Sequence, residues 1–432
     1  MARERRYFVI ESEFDPAPGR YAAGPHDWFE IRAGGAPRTK SLGSGRAAFP
    51  RDSGRLTTRV ETMTEAQAAD VGRDGRVRVV GEPMPMALID GRPSSTEGST
   101  PENGGGSWGI DACGASATGT DGTGVKLAVI DSGIDLAHPA FASVTDRIEV
   151  RDFTGSASEG HDVMGHGTHC AGTMFGQDVD GRRIGIAREF ERAFVAKVFG
   201  DDGASDTASL WDAMIWAQRS GANVISMSLG FDVPGMIERL MDWYDLPQKV
   251  AASQALVSFA KNLRAFDTQI AAMEAQAAFG GGALVFAASG NESERDVDPR
   301  HVVSASLPAS AKGVIPVGAF GPLDRGYCVA DFSNTDPACV APGVGILSAE
   351  AGGTGLLALD GTSMACPHAA GVAALWWQRL QQKDGDADPA RVRDALFGAM
   401  TQDGLVERRN GADYGRGRIM APVDGEAAAR AR

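Results

Sequence analysis

Residues 126–135 read KLAVIDSGID. A lysine opens four apolar residues, and an aspartate closes them just before a Ser-Gly turn. A run this short, apolar on both faces, reads as a strand buried between two layers rather than one lying half in water. The pattern recurs in AFVAKVF at 193–199, ANVISMSLG at 222–230, ALVFAASGN at 283–291 and GVIPVGAF at 313–320, with helix-like segments between. The alternation predicts an α/β fold: a doubly wound, mostly parallel sheet with helices on both faces. In such sheets the working residues gather beyond the carboxyl ends of the strands. Asp131, Ser228 and Asn291 all stand there.

The 432 residues suffice for a large domain and a small one. With 42 basic against 56 acidic residues, the net charge of −14 argues against nucleic acid as a partner. No run of 18 apolar residues occurs, so no membrane-spanning helix is expected. The opening MARERRYFVIESEFDP has only YFVI as an apolar run, too short for a signal-peptide core, which points to the cytoplasm. Five cysteines, an odd and sparse set, also suit a reducing compartment, although Cys328 and Cys339 are placed to pair across a hairpin-like stretch.

Residues 1–90 mix strand-like runs (RYFVIESEF, WFEIRA, RVRVVGE, PMALI) with one helix-like piece, MTEAQAADVGRD, and read as a small α+β domain. Residues 91–107 are a Gly/Pro/Ser/Thr-rich linker, expected to be exposed. Residues 108–432 carry the main sheet, with a helical insertion at about 233–281. Within the insertion, Leu256, Phe259, Leu263, Phe266, Ile270, Met273 and Ala277 step by threes and fours, which predicts one long helix over 250–279 with that seam on its buried face. The helix either covers its own sheet, docks a partner or second copy, or pairs with MIERLMDWYD at 236–245 as a helical hairpin.

Several polar residues compete for chemical roles. GHDVMGHGTHCAGTMFG, residues 160–176, offers three histidines, His161, His166 and His169, and spacing does not choose among them. Asp131 ends a buried strand, where a carboxylate needs strong donors such as an imidazole N–H; Asp135 reads as an exposed turn residue. Asn291 could aim an uncharged amide donor at a developing oxyanion, or simply make a turn. Ser363, in LDGTSMACPHAAG at 359–371, is either a nucleophile or a helix-start hydroxyl.

Taken together, DSGID, HGTHCAGT, ASGNE and GTSMACPHAAG resemble the aspartate, histidine, oxyanion-asparagine and serine motifs of subtilisin-like serine proteases (subtilases), in that family's chain order. SMSLG at 226–230 and DYGRGRIMA at 413–421 extend the resemblance from about Trp108 to Ala421. It implies a serine endopeptidase with Ser363 as nucleophile, His166 as general base and Asp131 as its orienting partner. Asn291 and the Ser363 backbone N–H would form the oxyanion hole. His169 and His368 fall on non-catalytic positions and are expected to be packed; His161 is expected in an exposed loop. Ser228, Leu229 and Gly230, with Ala288, Ser289 and Gly290, would flank an extended protein or peptide substrate, and Pro308 would border its first pocket.

The resemblance further implies that residues 55–90 end a propeptide, with a processing site in 91–107. An attached accessory domain is the other reading. Cys170, one helical turn after His166, resembles the cysteine of the proteinase K branch, and is expected to be inert, as is Cys366. No cofactor or metal is needed for the chemistry. The family's calcium-binding carboxylate after HP is Ala140 here, which leaves Asp178 and Asp180 as the acids that could hold calcium. A catalytically silent peptide-binding protein and a peptide-ligating variant are the competing functional readings.

Overall fold

The computed structural model describes residues 4–12, 56–89, 91–94, 107–277, 281–406 and 411–423. The WFEIRA run and most of the 91–107 linker lie outside them.

The N-terminal unit is an antiparallel sheet in the order β2-β1-β3, from β1 (Glu4–Ser12), β2 (Leu56–Thr64) and β3 (Val77–Gly81), with helix α1 (Glu65–Val71) on one face. Thr64 caps α1 through the Gln67 N–H while the Gln67 side chain returns to the Thr64 N–H, a reciprocal capping box. Strand alternation divides this sheet. Tyr7 and Val9 face α1, whereas Phe8 and Ile10 face the main-sheet domain. Two short strands follow, β4 (Met86–Leu88) and β5 (Arg92–Pro93).

The main domain begins with α2 (Trp108–Ala112) and then alternates: β6 (Lys126–Asp131), β7 (Ile148–Asp152), α3 (His166–Phe175), β8 (Arg192–Lys197), α4 (Thr207–Arg219), β9 (Val224–Met227) and β10 (Leu229–Phe231). The insertion supplies α5 (Val233–Tyr244) and α6 (Gln248–Ala277), before β11 (Leu284–Ala288) and β12 (Val314–Pro322). The remainder is β13 (Tyr327–Val329), β14 (Cys339–Pro342), β15 (Ile346–Ala349), β16 (Leu356–Asp360), α7 (Thr362–Asp384) and α8 (Pro389–Ala399). The strands pair in parallel as β7-β8-β6-β9-β11-β12-β14, with β13 antiparallel on the end of β12.

All five predicted runs are strands of this sheet, and their alternate residues enter two separate cores. Leu127, Val129, Phe286 and Ala288 pack with α3 and α7, while Ala128, Ile130, Val285 and Ala287 pack with α4 and α6. The second core also contains Phe8, Ile10, Leu56, Val79 and Met84, so the N-terminal unit shares its core with the main-sheet domain.

The insertion differs from the expected seam. Helix α6 forms and packs against α5 as the predicted hairpin, but in its first half the buried positions are Ala251, Ala255, Ser258 and Asn262. Leu256 is 64% exposed. The face is rotated because it meets the N-terminal unit through polar as well as apolar groups. Asn262 donates to the Glu82 carbonyl at 3.0 Å and accepts from Thr207 Oγ1 at 2.8 Å. Arg5 bonds Gln254 and stacks over Tyr244, 4.6 Å from its ring centre. The buried face of α6 therefore holds the chain's own N-terminal unit. None of the five cysteines forms a disulfide, the Cys328–Cys339 pair included. Among the described residues no helix is long and apolar enough to cross a membrane.

Candidate active site

Asp131 is the last residue of β6 and His166 the first of α3, both buried. Their side chains meet at 2.7 Å, His166 Nδ1 to Asp131 Oδ1. Burial alone would push this imidazole down, but the charge of Asp131, then the Cys170 thiol and the Asp131 hydrogen bond, hold its pKa well above the usual histidine value. His166 Nε2 is buried without a hydrogen-bond partner among the described residues.

A second layer of bonds fixes this pair. Ser132 Oγ accepts from the Gly167 N–H and donates to Asp162, each at 2.9 Å. Asp162 in turn accepts from the Thr168 N–H and hydroxyl and from the Gly165 N–H. Burial raises its pKa, yet those bonds outweigh it, so the carboxylate stays ionised and low. Lys197, fully buried, donates to the Ser132 carbonyl at 2.9 Å and pairs with Asp201 at 3.3 Å. At Gly167 a Cβ would lie 3.1 Å from the Gly133 N and 3.2 Å from Asp131 Cβ, which is why a glycine must follow His166.

Ser363 opens α7 in its first turn, completely buried. Gly361 before it is extended, with φ 163°, so tight turning is not its role. Its need for glycine is steric: a Cβ there would sit 3.1 Å from Asn291 Nδ2 and 3.4 Å from Met364 Sδ. Asn291 Oδ1 accepts from the Thr362 N–H and hydroxyl, both at 2.9 Å, which turns its amide nitrogen toward Gly361. Gly290, at φ 114°, has Asn334 Nδ2 and Glu292 Oε2 where a side chain would begin. Asn334, which the motifs did not flag, accepts from the Glu292 and Ser293 N–H groups at 3.1 Å and donates to the Ser289 carbonyl. It holds the Asn291 loop in shape.

The cleft is filled by the chain itself. β4 pairs antiparallel with β10, setting Ala87 against Gly230 and Leu88 against Leu229. The Ile89 N–H donates to the Ser228 carbonyl at 3.3 Å, and Ser363 Oγ donates to the Ile89 carbonyl. Past this point, β5 adds to β16, with Arg92 opposite Asp360 and Pro93 opposite Leu359. The side chain of Ile89 lies beside Gly230 and near Ser306 Oγ, next to the loop that carries Pro308; the Leu307 carbonyl accepts from Phe231.

Ser228, Leu229 and Gly230 line this segment of the chain itself, whereas Ala288, Ser289 and Gly290 do not pair with it. Their backbone groups are used internally: Ser289 N–H by Val317, Gly290 N–H by Thr362 Oγ1, Gly290 carbonyl by Asn334. The other wall is Ser205–Asp206–Thr207, through Met86 N–H to the Ser205 carbonyl and Thr207 N–H to the Met84 carbonyl. No motif marks that wall, since its backbone does the work. The contacted carbonyl is also that of Ile89, before the linker expected to contain the processing site.

Other residues fall as follows. Asp135 is buried rather than exposed, because its carboxylate accepts the N–H groups of Ala137 and Gly352. His169 and His368 are fully buried, pushed down to about 4 by burial, and bonded to backbone carbonyls. His161 is half exposed. Burial pushes the Cys366 thiol up to about 12. Asp178 is paired with Arg188 at 2.8 Å, and Asp180, at φ 50°, makes a turn.

The comparisons with known proteins bear on this arrangement. The chain is similar to a cuticle-degrading serine protease of Arthrobotrys oligospora, 30% identical over 282 residues, 64% of the chain and 56% of that protein. It is also similar to Subtilisin BL of Lederbergia lenta, 31% identical over 322 residues, 73% of the chain and 96% of the relative. The chain spans only a little over half the length of the Arthrobotrys relative. Residues 122–415, which contain every residue of the Asp131–His166–Ser363 arrangement, match the sequence profile of the Subtilase family, and the chain belongs to that family.

Proposed function

We propose that this chain is a serine endopeptidase made as a precursor, which cuts itself after Ile89. The observation that carries the reading is the Ser363 hydroxyl held against the Ile89 carbonyl of a strand-paired segment. In this reading the hydroxyl turns from that oxygen to His166 Nε2, loses its proton there, and Oγ attacks the Ile89 carbonyl carbon. Asp131 keeps the imidazole proton on Nδ1 and stabilises the imidazolium. Asn291 Nδ2 and the Ser363 N–H, a first-turn donor with no intrahelical acceptor, take the oxyanion. The imidazolium protonates the leaving amine of residue 90, and water then releases Ser363 by the same path. No step calls for a metal or cofactor.

The substrate class follows from the bound segment. Met86-Ala87-Leu88-Ile89 presents apolar residues ahead of the cut, with the Met86 and Ile89 side chains buried and Ala87 exposed. Peptides ending Met-Ala-Leu-Ile before the scissile bond are therefore the test substrates. For these, Asn291→Ala is expected to lower kcat by ~10²–10³ with KM little changed, the scale known for the equivalent donor in subtilisin. A loss confined to KM would remove the oxyanion role. The buried thiols of Cys113, Cys170, Cys339 and Cys366 favour action in a reducing compartment.

After the cut, residues 1–89 remain docked by the shared core and by α6, and act as an inhibitor until they leave. Asn262→Leu strands the buried Glu82 carbonyl without its donor, at a cost of about 1–3 kcal/mol. That corresponds to roughly 5–150-fold faster appearance of activity on dilution of the processed protein. An unchanged lag would mean that α6 does not govern release.

A further inference from the structure

In α7 the carbonyl of Ser363 should accept the N–H of residue 367, four positions on. Residue 367 is a proline inside the helix and has no N–H. The nucleophile's own carbonyl is therefore deprived of its helical donor in a fully buried position, where an unsatisfied oxygen is costly. Two side chains from outside the helix fill the gap. Ser228 Oγ donates to it at 3.1 Å, and Cys170 Sγ at 3.4 Å. Burial pushes the Cys170 thiol up, so it keeps the proton it donates.

These two donors stand on the elements that the reaction must align. Cys170 lies one turn beyond His166 on α3, with its sulfur 3.9 Å from Nδ1. Ser228 is the residue whose carbonyl accepts from Ile89, at the head of the substrate-binding strand. One oxygen thus joins the helix of the base, the helix of the nucleophile and the strand that holds the substrate. The inference rests on the roles proposed for Ser363 and His166.

We propose that Cys170 is a positioning residue: its thiol, with the Ser228 hydroxyl, replaces the N–H that Pro367 removes, and so sets Ser363 at its working distance from His166. Pro367 has a use in this scheme, because a carbonyl without its helical donor can be gripped from the side. A thiol is a weak donor, adequate where a hydroxyl already supplies the stronger bond.

The test is a double-mutant cycle on the full chain, with rates normalised to active-site-titrated enzyme so that misfolded protein does not count. Cys170→Ala is expected to lower kcat roughly tenfold with KM within about twofold, since the substrate strand is untouched while nucleophile and base lose register. Cys170→Ser keeps a donor and is expected to hold most of the rate. Pro367→Ala restores the backbone N–H, so Cys170→Ala/Pro367→Ala is expected to recover most of the loss of Cys170→Ala. Full activity in Cys170→Ala, or losses that multiply in the double variant, would overturn the proposal. Ser363→Ala separates the two levels: if it abolishes cleavage and rescue still fails, only the positioning role falls; if cleavage survives it, both readings fall.

Discussion

Ser363→Ala leaves the chain at full length and lowers peptide hydrolysis by on the order of 10⁶, the scale known for loss of the triad in subtilisin. Wild-type protein is expected instead as two pieces, with the larger beginning at Asp90. The reason is geometric. The Ile89 carbonyl already accepts from the Ser363 hydroxyl, and the segment is held on both sides of that point, by β10 before it and β16 after it. Intact-mass measurement of both proteins decides the matter. A wild-type N-terminus within residues 91–107, or a wild type that is active while uncut, would remove the assignment of Ile89.

Asp131→Asn is expected to lower kcat by ~10⁴ and to move the acid limb of the pH–rate profile toward lower pH. An asparagine donates to Nδ1, which leaves the proton on Nε2 and the ring unable to accept from Ser363. The pH shift has its own sign. Burial depresses the imidazole pKa, and the Asp131 charge more than reverses that. The base works only when neutral, so a raised pKa puts the loss of activity at higher pH, and removing the carboxylate lowers it. Rates of a Met-Ala-Leu-Ile substrate across pH measure both effects. An acid limb that stayed in place would mean that it reports some group other than His166.

The parts legible in the sequence were those under a local constraint. A strand covered on both faces must be apolar throughout, so KLAVID, FVAK, VISM, LVFAA and the VIPVGAF run were all visible before any contact was known. The glycine-flanked motifs were visible because close backbone approach leaves no substitute, as at Gly167 and Gly290. What was hidden depended on partners remote in the chain. Periodicity runs the α6 seam through Leu256, although polar Asn262 is the buried residue, because its partners Thr207 and Glu82 lie 55 and 180 residues away. The local pattern makes Asp135 exposed because nothing nearby announces that Gly352 will bind its carboxylate. The Ser205–Thr207 wall acts through amides and carbonyls, which every residue has, so no side-chain pattern can mark it.

The core shared by the two domains bears on the direction of activation. Phe8, Ile10, Leu56 and Val79 share one face of the three-stranded sheet, with Ile10 opposite Val79, and that face packs with Trp211 and its neighbours on the main-sheet domain. On the proposed reading residues 1–89 leave and this face enters water; α1, the one helix among the described residues of the unit, lies on the opposite face. A three-stranded sheet with one open apolar side is marginal by itself. On the proposed reading, departure is expected to be coupled to unfolding, the unfolded fragment to be cut, and rebinding to be lost. The interface proposed to delay activation would then also make it irreversible, a latch that works once.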